Sequence, residues 1–366
     1  MTTEISRSAD DRAGDFAPAA QDDVALPYPP SWADRLTAWV GQLPWPSWLV
    51  YLALGLGLTL LLLAIAWAGG VLTADTWLNY VRSGMTYAYL LALIHYLDFA
   101  ARVSLARFRP VLTLNEAETA RLRYRLSTLP ARPALLASVL GALYGLVTVL
   151  INVVIAFNQG RASVSPVVLV LDVGFSLWIY VLFGVVVYHT VHQLRLVNVI
   201  YTRYTHIDLF RQGPLYALSG LAARTAVGLG IPLYVWFQTR LSTPGTSTGA
   251  DLFQLLLWLS LILVTYIWPL RGAHNRLERE KQALQDNVAR RIEATLTALH
   301  ERVDNRELAA VGELKTTLDA LVAEQGVIDK LRTWPWRTET VRGVGLAFFL
   351  PILIWVVQRV LQRLGI

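Results

Sequence analysis

The chain has 366 residues, of which 55% are hydrophobic and 16% charged, with net charge +6 and no cysteine. A soluble domain carries about 25% charged residues, and here the charges cluster between long uncharged runs, as in a chain solvated partly by lipid. The missing cysteines exclude disulfides, thiolate nucleophiles, Cys-ligated zinc and iron–sulfur clusters. The basic side is nearly all arginine, with Lys281, Lys315 and Lys330 the only lysines. The arginines sit in short stretches between apolar runs, which favours topology-setting over nucleic-acid binding.

In chain order, residues 1–30 are polar, lack the apolar core of a secretory signal and read as a disordered tail. Residues 31–46 follow as an amphipathic segment. Trp32, Leu36, Trp39, Val40 and Leu43 share one helical face, and Asp34, Arg35 and Gln42 lie off it. This predicts a helix in the membrane interface with tryptophans at headgroup depth; the alternative is a short helix packed on the protein.

Residues 47–271 hold six apolar runs, judged against the roughly 20 residues that cross a bilayer. These are Trp48–Leu72, Tyr80–Ala100, Pro133–Phe157, Pro166–Tyr188, Leu215–Phe237 and Leu252–Leu270. Segment 101–132 holds seven arginines and segment 189–214 three, ten in all; the alternate links hold only Arg161 and Arg240. Basic loops stay inside, so the N-terminus and both basic segments are expected in the cytoplasm, with the six spans forming three out-and-back hairpins. The second and third hairpins share a faint Pro-Leu start, slender support for internal duplication.

Residues 272–332 change character to Glu, Arg, Lys, Gln and Ala. Leu277, Leu284, Val288, Ile292, Leu296, Leu299 and Val303 form one apolar stripe. After Asp304-Asn305-Arg306, a second stripe runs through Leu308, Val311, Leu314, Leu318, Leu321 and Ile328. The pattern predicts a cytoplasmic, coiled-coil-like antiparallel hairpin. Residues 333–366 return to the membrane through a Trp-rich interface segment, Trp334-Pro335-Trp336, and a short run, 343–357, read as a seventh span with a re-entrant helix as alternative. The fold class is therefore all-α, a polytopic helical membrane protein with six to seven transmembrane helices and a cytoplasmic helical hairpin.

Charged groups inside spans need a reason, because burying a charge in lipid is costly. Arg224, Asp172, His95 and Asp98 are the intramembrane polar candidates, with Asn152 and Gln238 as neutral groups. His95 and Asp98, at i and i+3, are placed to pair with each other or with Arg224. Either they build an ion-linked pathway or they fix helix packing. His189 and His192 share a face but lack further ligands in sequence, so no metal site is assigned. The loop with Arg203, His206, Asp208 and Arg211 suits anionic lipid headgroups or docking of the hairpin. Gly141-Ala-Leu-Tyr-Gly145 is a small-xxx-small packing motif.

No phosphate loop, dinucleotide fingerprint, zinc-protease motif, nucleophile elbow or dense acidic cluster is present. The expectation is no enzyme, no catalytic residue and no cofactor. Two function classes remain: a channel or transporter of the plasma membrane, slightly favoured, and a non-transporting scaffold or sensor. The expected partners are the lipid bilayer and, through residues 272–332, a second copy or another protein; nucleic acid is not expected.

Overall fold

Backbone groups find no partner in hydrocarbon, so long apolar runs close their hydrogen bonds internally as helices. The computed structural model describes residues 27–74, 76–158, 166–205, 208–210, 212–241, 248–306, 311–336 and 341–346, with Phe349, Leu353, Val357 and Val360. Among the described residues the regular structure is helical, with no strand. The helices are α1 (Trp32–Gln42), α2 (Ser47–Ala68), α3 (Trp77–Phe108), α4 (Glu116–Leu126), α5 (Ala131–Asn158), α6 (Pro166–Arg203), α7 (Tyr216–Leu241), α8 (Thr248–Asp304) and α9 (Val311–Asp329); a single 3₁₀ turn follows α3.

Five of them, α2, α3, α5, α6 and α7, are long and apolar enough to cross a membrane. The sixth expected span, 252–270, is the first part of α8. The expected seventh, 343–357, lies largely outside the described residues, as do the N-terminal tail to residue 26 and the link from 307 to 310.

Helices adjacent in sequence pack as pairs: α2 on α3, α5 on α6, α7 on α8. The Gly141–Gly145 motif serves the second pair. A Cβ added at Gly141 would overlap the backbone carbonyl of Tyr180, one at Gly184 the carbonyl of Ala137, and one at Gly145 the Tyr180 ring. Bare glycines let the two backbones approach at this crossing, where lipid gives no hydrophobic drive to associate.

α3 is the hub. It packs against α1, α2, α4, α6 and α7, and 61% of its most apolar stretch is buried, against 22% for α5. This explains why the run over 80–100 is the least pure in the sequence: polar groups are tolerated where protein, not lipid, surrounds the helix. α3 and α6 also run on past the ends of their apolar runs, to Phe108 and Arg203. Leu105, Phe108, Val197, Ile200 and Tyr201 are buried there, so the first turns of both segments read as loops are helix.

α8 is one helix of 57 residues, about 85 Å at 1.5 Å per residue. The position between 271 and 272, where the sequence changes character, falls inside it without a break. α9 packs on its C-terminal half. Lys281 Nζ donates to the carbonyls of Asp329 (2.8 Å) and Leu331 (3.2 Å), and Gln285 Nε2 donates to Asp329 Oδ1 at 2.7 Å. Arg306 takes the left-handed conformation at φ 60°, just past the end of α8. Of the apolar stripe, Leu277, Val288, Leu321 and Ile328 are buried, whereas Val303 is exposed.

Candidate functional site

The most concentrated buried polar chemistry lies where α1, α3 and α6 meet. Asp98 on α3 and His189 on α6 are both buried, and Nε2 of His189 lies 2.8 Å from Asp98 Oδ1. A carboxylate only accepts, so the imidazole donates through Nε2. One turn beyond His189, Gln193 is also buried; its Nε2 donates to the carbonyls of Leu97 (3.4 Å) and Leu126 (3.2 Å). Arg102 Nε donates to the Asp98 carbonyl at 3.3 Å.

The third member is Asp34. Ser31 caps α1 and Asp34 is its N3 residue, a capping box that forms because Ser and an acidic residue stand three apart. Asp34 Oδ2 accepts from Ser31 N (3.0 Å), Ser31 Oγ (2.6 Å) and, across the chain, Leu129 N (3.0 Å). The clasp continues on both sides. Ser31 N donates to Leu129 O and Ala131 N to Pro29 O. Tyr28 Oη donates to Thr128 O at 2.8 Å, and Tyr124 Oη to Tyr28 O at 2.8 Å. Burial pushes the Asp34 carboxyl above the usual carboxylate range, against its hydrogen bonds from Ser31. Burial also raises the Tyr28 phenol. His192 donates to the Arg125 carbonyl at 3.0 Å, on the same side of the bundle.

α1 thus turns Ala33, Asp34, Thr37 and Val40 inward, a face that shares Val40 with the tryptophan stripe. Trp39 stays exposed, while Trp32 Nε1 donates to Ser138 Oγ on α5 at 2.9 Å. Around the cluster, Asp34 Oδ1, His189 Nδ1, Thr190 Oγ1 and Gln193 Oε1 are buried polar atoms without a hydrogen-bond partner among the described residues. Buried groups of this kind normally hold a proton or an ordered water. No group of three His, Asp or Glu side chains among the described residues is placed to hold a metal ion.

The other residues singled out in the sequence scatter. His95 Nδ1 lies 3.0 Å from the Tyr51 hydroxyl on α2, and pairs with neither Asp98 nor Arg224. Arg224 is exposed on α7. Asp172 is helical in α6, but its side chain lies outside the described residues, as do His206 and Arg211 entirely. Arg203 is exposed at the end of α6. Asp208 Oδ1 accepts from Phe210 N at 2.9 Å, a local turn contact.

A second site ties α8 to the segment after α9. His274, Trp334, Trp336 and Tyr266 stack in one column, with centroids 4.1, 4.3 and 5.8 Å apart and interplanar angles of 7°, 10° and 13°. His274 Nδ1 donates to Thr333 O at 3.2 Å, Gln212 Nε2 to Arg332 O at 2.8 Å, and Arg276 to the carbonyls of Tyr201 (3.1 Å) and Thr202 (2.9 Å). The bonds from this region to α8 and to the segment after α9 come from Tyr201, Thr202 and Gln212, while inside the 203–211 loop Tyr204 O accepts from Thr113 N at 3.0 Å and Leu209 is buried.

Sequence reasoning singled out Asp98 but gave it the wrong partners, and it passed over Asp34. The available signal for Asp34 was the Ser31-x-x-Asp34 capping box. Nothing in local spacing links Asp98 to a histidine 91 residues away. Comparison with protein-family models, with curated proteins and with solved structures finds no match.

Proposed function

We propose that the chain is a multi-pass protein of the plasma membrane whose N-terminus and helical hairpin, the C-terminal half of α8 with α9, lie in the cytoplasm. In this reading it works as a membrane-anchored scaffold: the spans orient the helical hairpin, and the hairpin recruits a protein partner or a second copy. The reading rests on how the span polar residues are satisfied. Asp98 pairs with His189, His95 meets Tyr51, and Arg224 is exposed. A solute pathway needs such groups to converge on a shared interior space, whereas Asp98 and His95 meet different partners and Arg224 is exposed. Exposed Val303, Val322 and Val327 on α8 and α9 supply apolar contact for a partner.

The deciding experiment is flux. Purified protein in liposomes should collapse a pH or ion gradient no faster than protein-free liposomes, and Asp98→Asn should change nothing. Gradient collapse above background that Asp98→Asn abolishes would overturn the scaffold reading. It would support the second one, a proton- or ion-linked transporter, which the unpartnered buried atoms around Asp98 and His189 favour.

A further inference from the structure

Seven arginines lie between residues 101 and 132, and all seven are exposed. The two glutamates of the same stretch are used locally. Glu116 accepts from Arg109 at 2.9 Å. Glu118 accepts from Asn115 N at 3.1 Å, closing the capping box of α4. Arg102, Arg107, Arg121, Arg123, Arg125 and Arg132 therefore have no ion-pair partner among the described residues.

The clasp gathers part of this charge along one edge. Arg35 follows Asp34, which is bonded to Leu129; Arg132 follows Ala131, which is bonded to Pro29; and the Arg125 carbonyl accepts from His192. α4 buries Leu122 and Leu126 and leaves Arg121 and Arg125, one turn apart, facing out. Depth is marked by tryptophans. Trp48 (65% exposed) and Trp67 (76% exposed) stand at opposite ends of α2. Their 19-residue separation is about 28 Å of helix, close to the thickness of the hydrocarbon core. Trp39, at 57%, and Trp45, at 66%, stand beside Trp48 in sequence, on the side of Arg35. Exposed indoles favour the headgroup layer, which puts the arginine edge at the level of lipid phosphates.

We infer that the rim formed by Arg35, Arg121, Arg125 and Arg132 binds the phosphodiester headgroups of anionic phospholipids. A guanidinium matches two phosphate oxygens with two parallel N–H donors. The rim carries uncompensated positive charge, so it selects a headgroup that brings net negative charge over a zwitterionic one that brings its own cation. This rests on the membrane reading above but not on any partner of the hairpin.

The full chain in detergent is titrated with phosphatidylglycerol or phosphatidylcholine, and bound lipid is counted by native mass spectrometry. The native chain should retain phosphatidylglycerol with a preference of at least about tenfold. Combining R35Q, R121Q, R125Q and R132Q should bring the preference to within about twofold. A control on the hairpin, R290Q with R291Q and R302Q, should leave it intact. Each single rim change, at an exposed position that carries little stability, should weaken the preference by less than about twofold. Equal retention of the two lipids by the native chain, or a preference that survives the rim substitutions or falls equally in the hairpin control, overturns the assignment. Neither result depends on whether the chain moves solute.

Discussion

Two polar regions of this protein are built on opposite terms. At the meeting of α1, α3 and α6, a few charged groups are buried and each is held at short range, Asp98 by His189 and Asp34 by Ser31 and Leu129. Along α8 and α9, charged groups are many and exposed, and the apolar stripe between the helices is buried only in places. The first region fixes how helices meet and tolerates little change. The second is solvated and tolerates much. Stability is therefore expected to reside in the buried end, and recognition in the paired helices.

Substitutions test that division directly. The largest loss should come from Asp98→Ala, which strands His189 in a buried site; about 3–5 kcal/mol is expected, read as a lower thermal midpoint in detergent. A loss as small as that of an exposed hairpin change would break the contrast. Gly141→Leu should follow, at about 1–3 kcal/mol, because the new side chain meets the Tyr180 carbonyl. The same type of site in the hairpin should respond with the opposite sign. Gly326 lies inside α9 with open space around it, so Gly326→Ala should gain about 0.5–1 kcal/mol.

Asp34 adds a pH dependence. Its carboxyl is raised by burial, so the folded chain holds that proton more tightly than the unfolded chain. The resulting stability is fully present below the ordinary carboxylate value and is lost as pH rises through the raised one. Asp34→Asn should remove this slope, so thermal midpoints of native chain and variant should converge on acidification and separate towards neutral pH. Parallel curves would show that Asp34 does not titrate in this window. The smallest effect on stability, within about 0.5 kcal/mol, should come from Val322→Glu on the exposed face of α9. In the scaffold reading the same change abolishes cross-linking of the hairpin to its partner, and undiminished cross-linking would remove Val322 from the recognition surface.

The five helices long and apolar enough to cross a membrane were legible because lipid imposes a crude rule, some 20 apolar residues, that needs no knowledge of neighbours. The Gly141–Gly145 contact was legible for a similar reason, since small residues four apart line one helix face. What stayed hidden depends on the partner. The purity of a span reports how much lipid it sees, so α3 looked like a compromised span when it is the most enclosed one. α1 displayed its tryptophans as a face for lipid, yet Trp32, Leu36 and Val40 of that face pack on the protein beside Ala33 and Asp34, and Trp39 stays exposed. The continuation of α3 and α6 beyond their apolar runs is fixed by mutual packing of Phe108 on Tyr201, rings 5.5 Å apart and nearly perpendicular, and such pairing across the chain has no local signature.

The unbroken course of α8 has a mechanical consequence. Roughly the last 34 residues of the helix, some 50 Å, extend past its apolar half. A rod of that length turns a 10° change of tilt at its base into a displacement of roughly 9 Å at its tip. A shift in how α7 packs on the base of α8 would therefore be read out, magnified, at Asp304. Pro269 stands at the fulcrum, where a missing backbone hydrogen bond makes a helix easiest to bend.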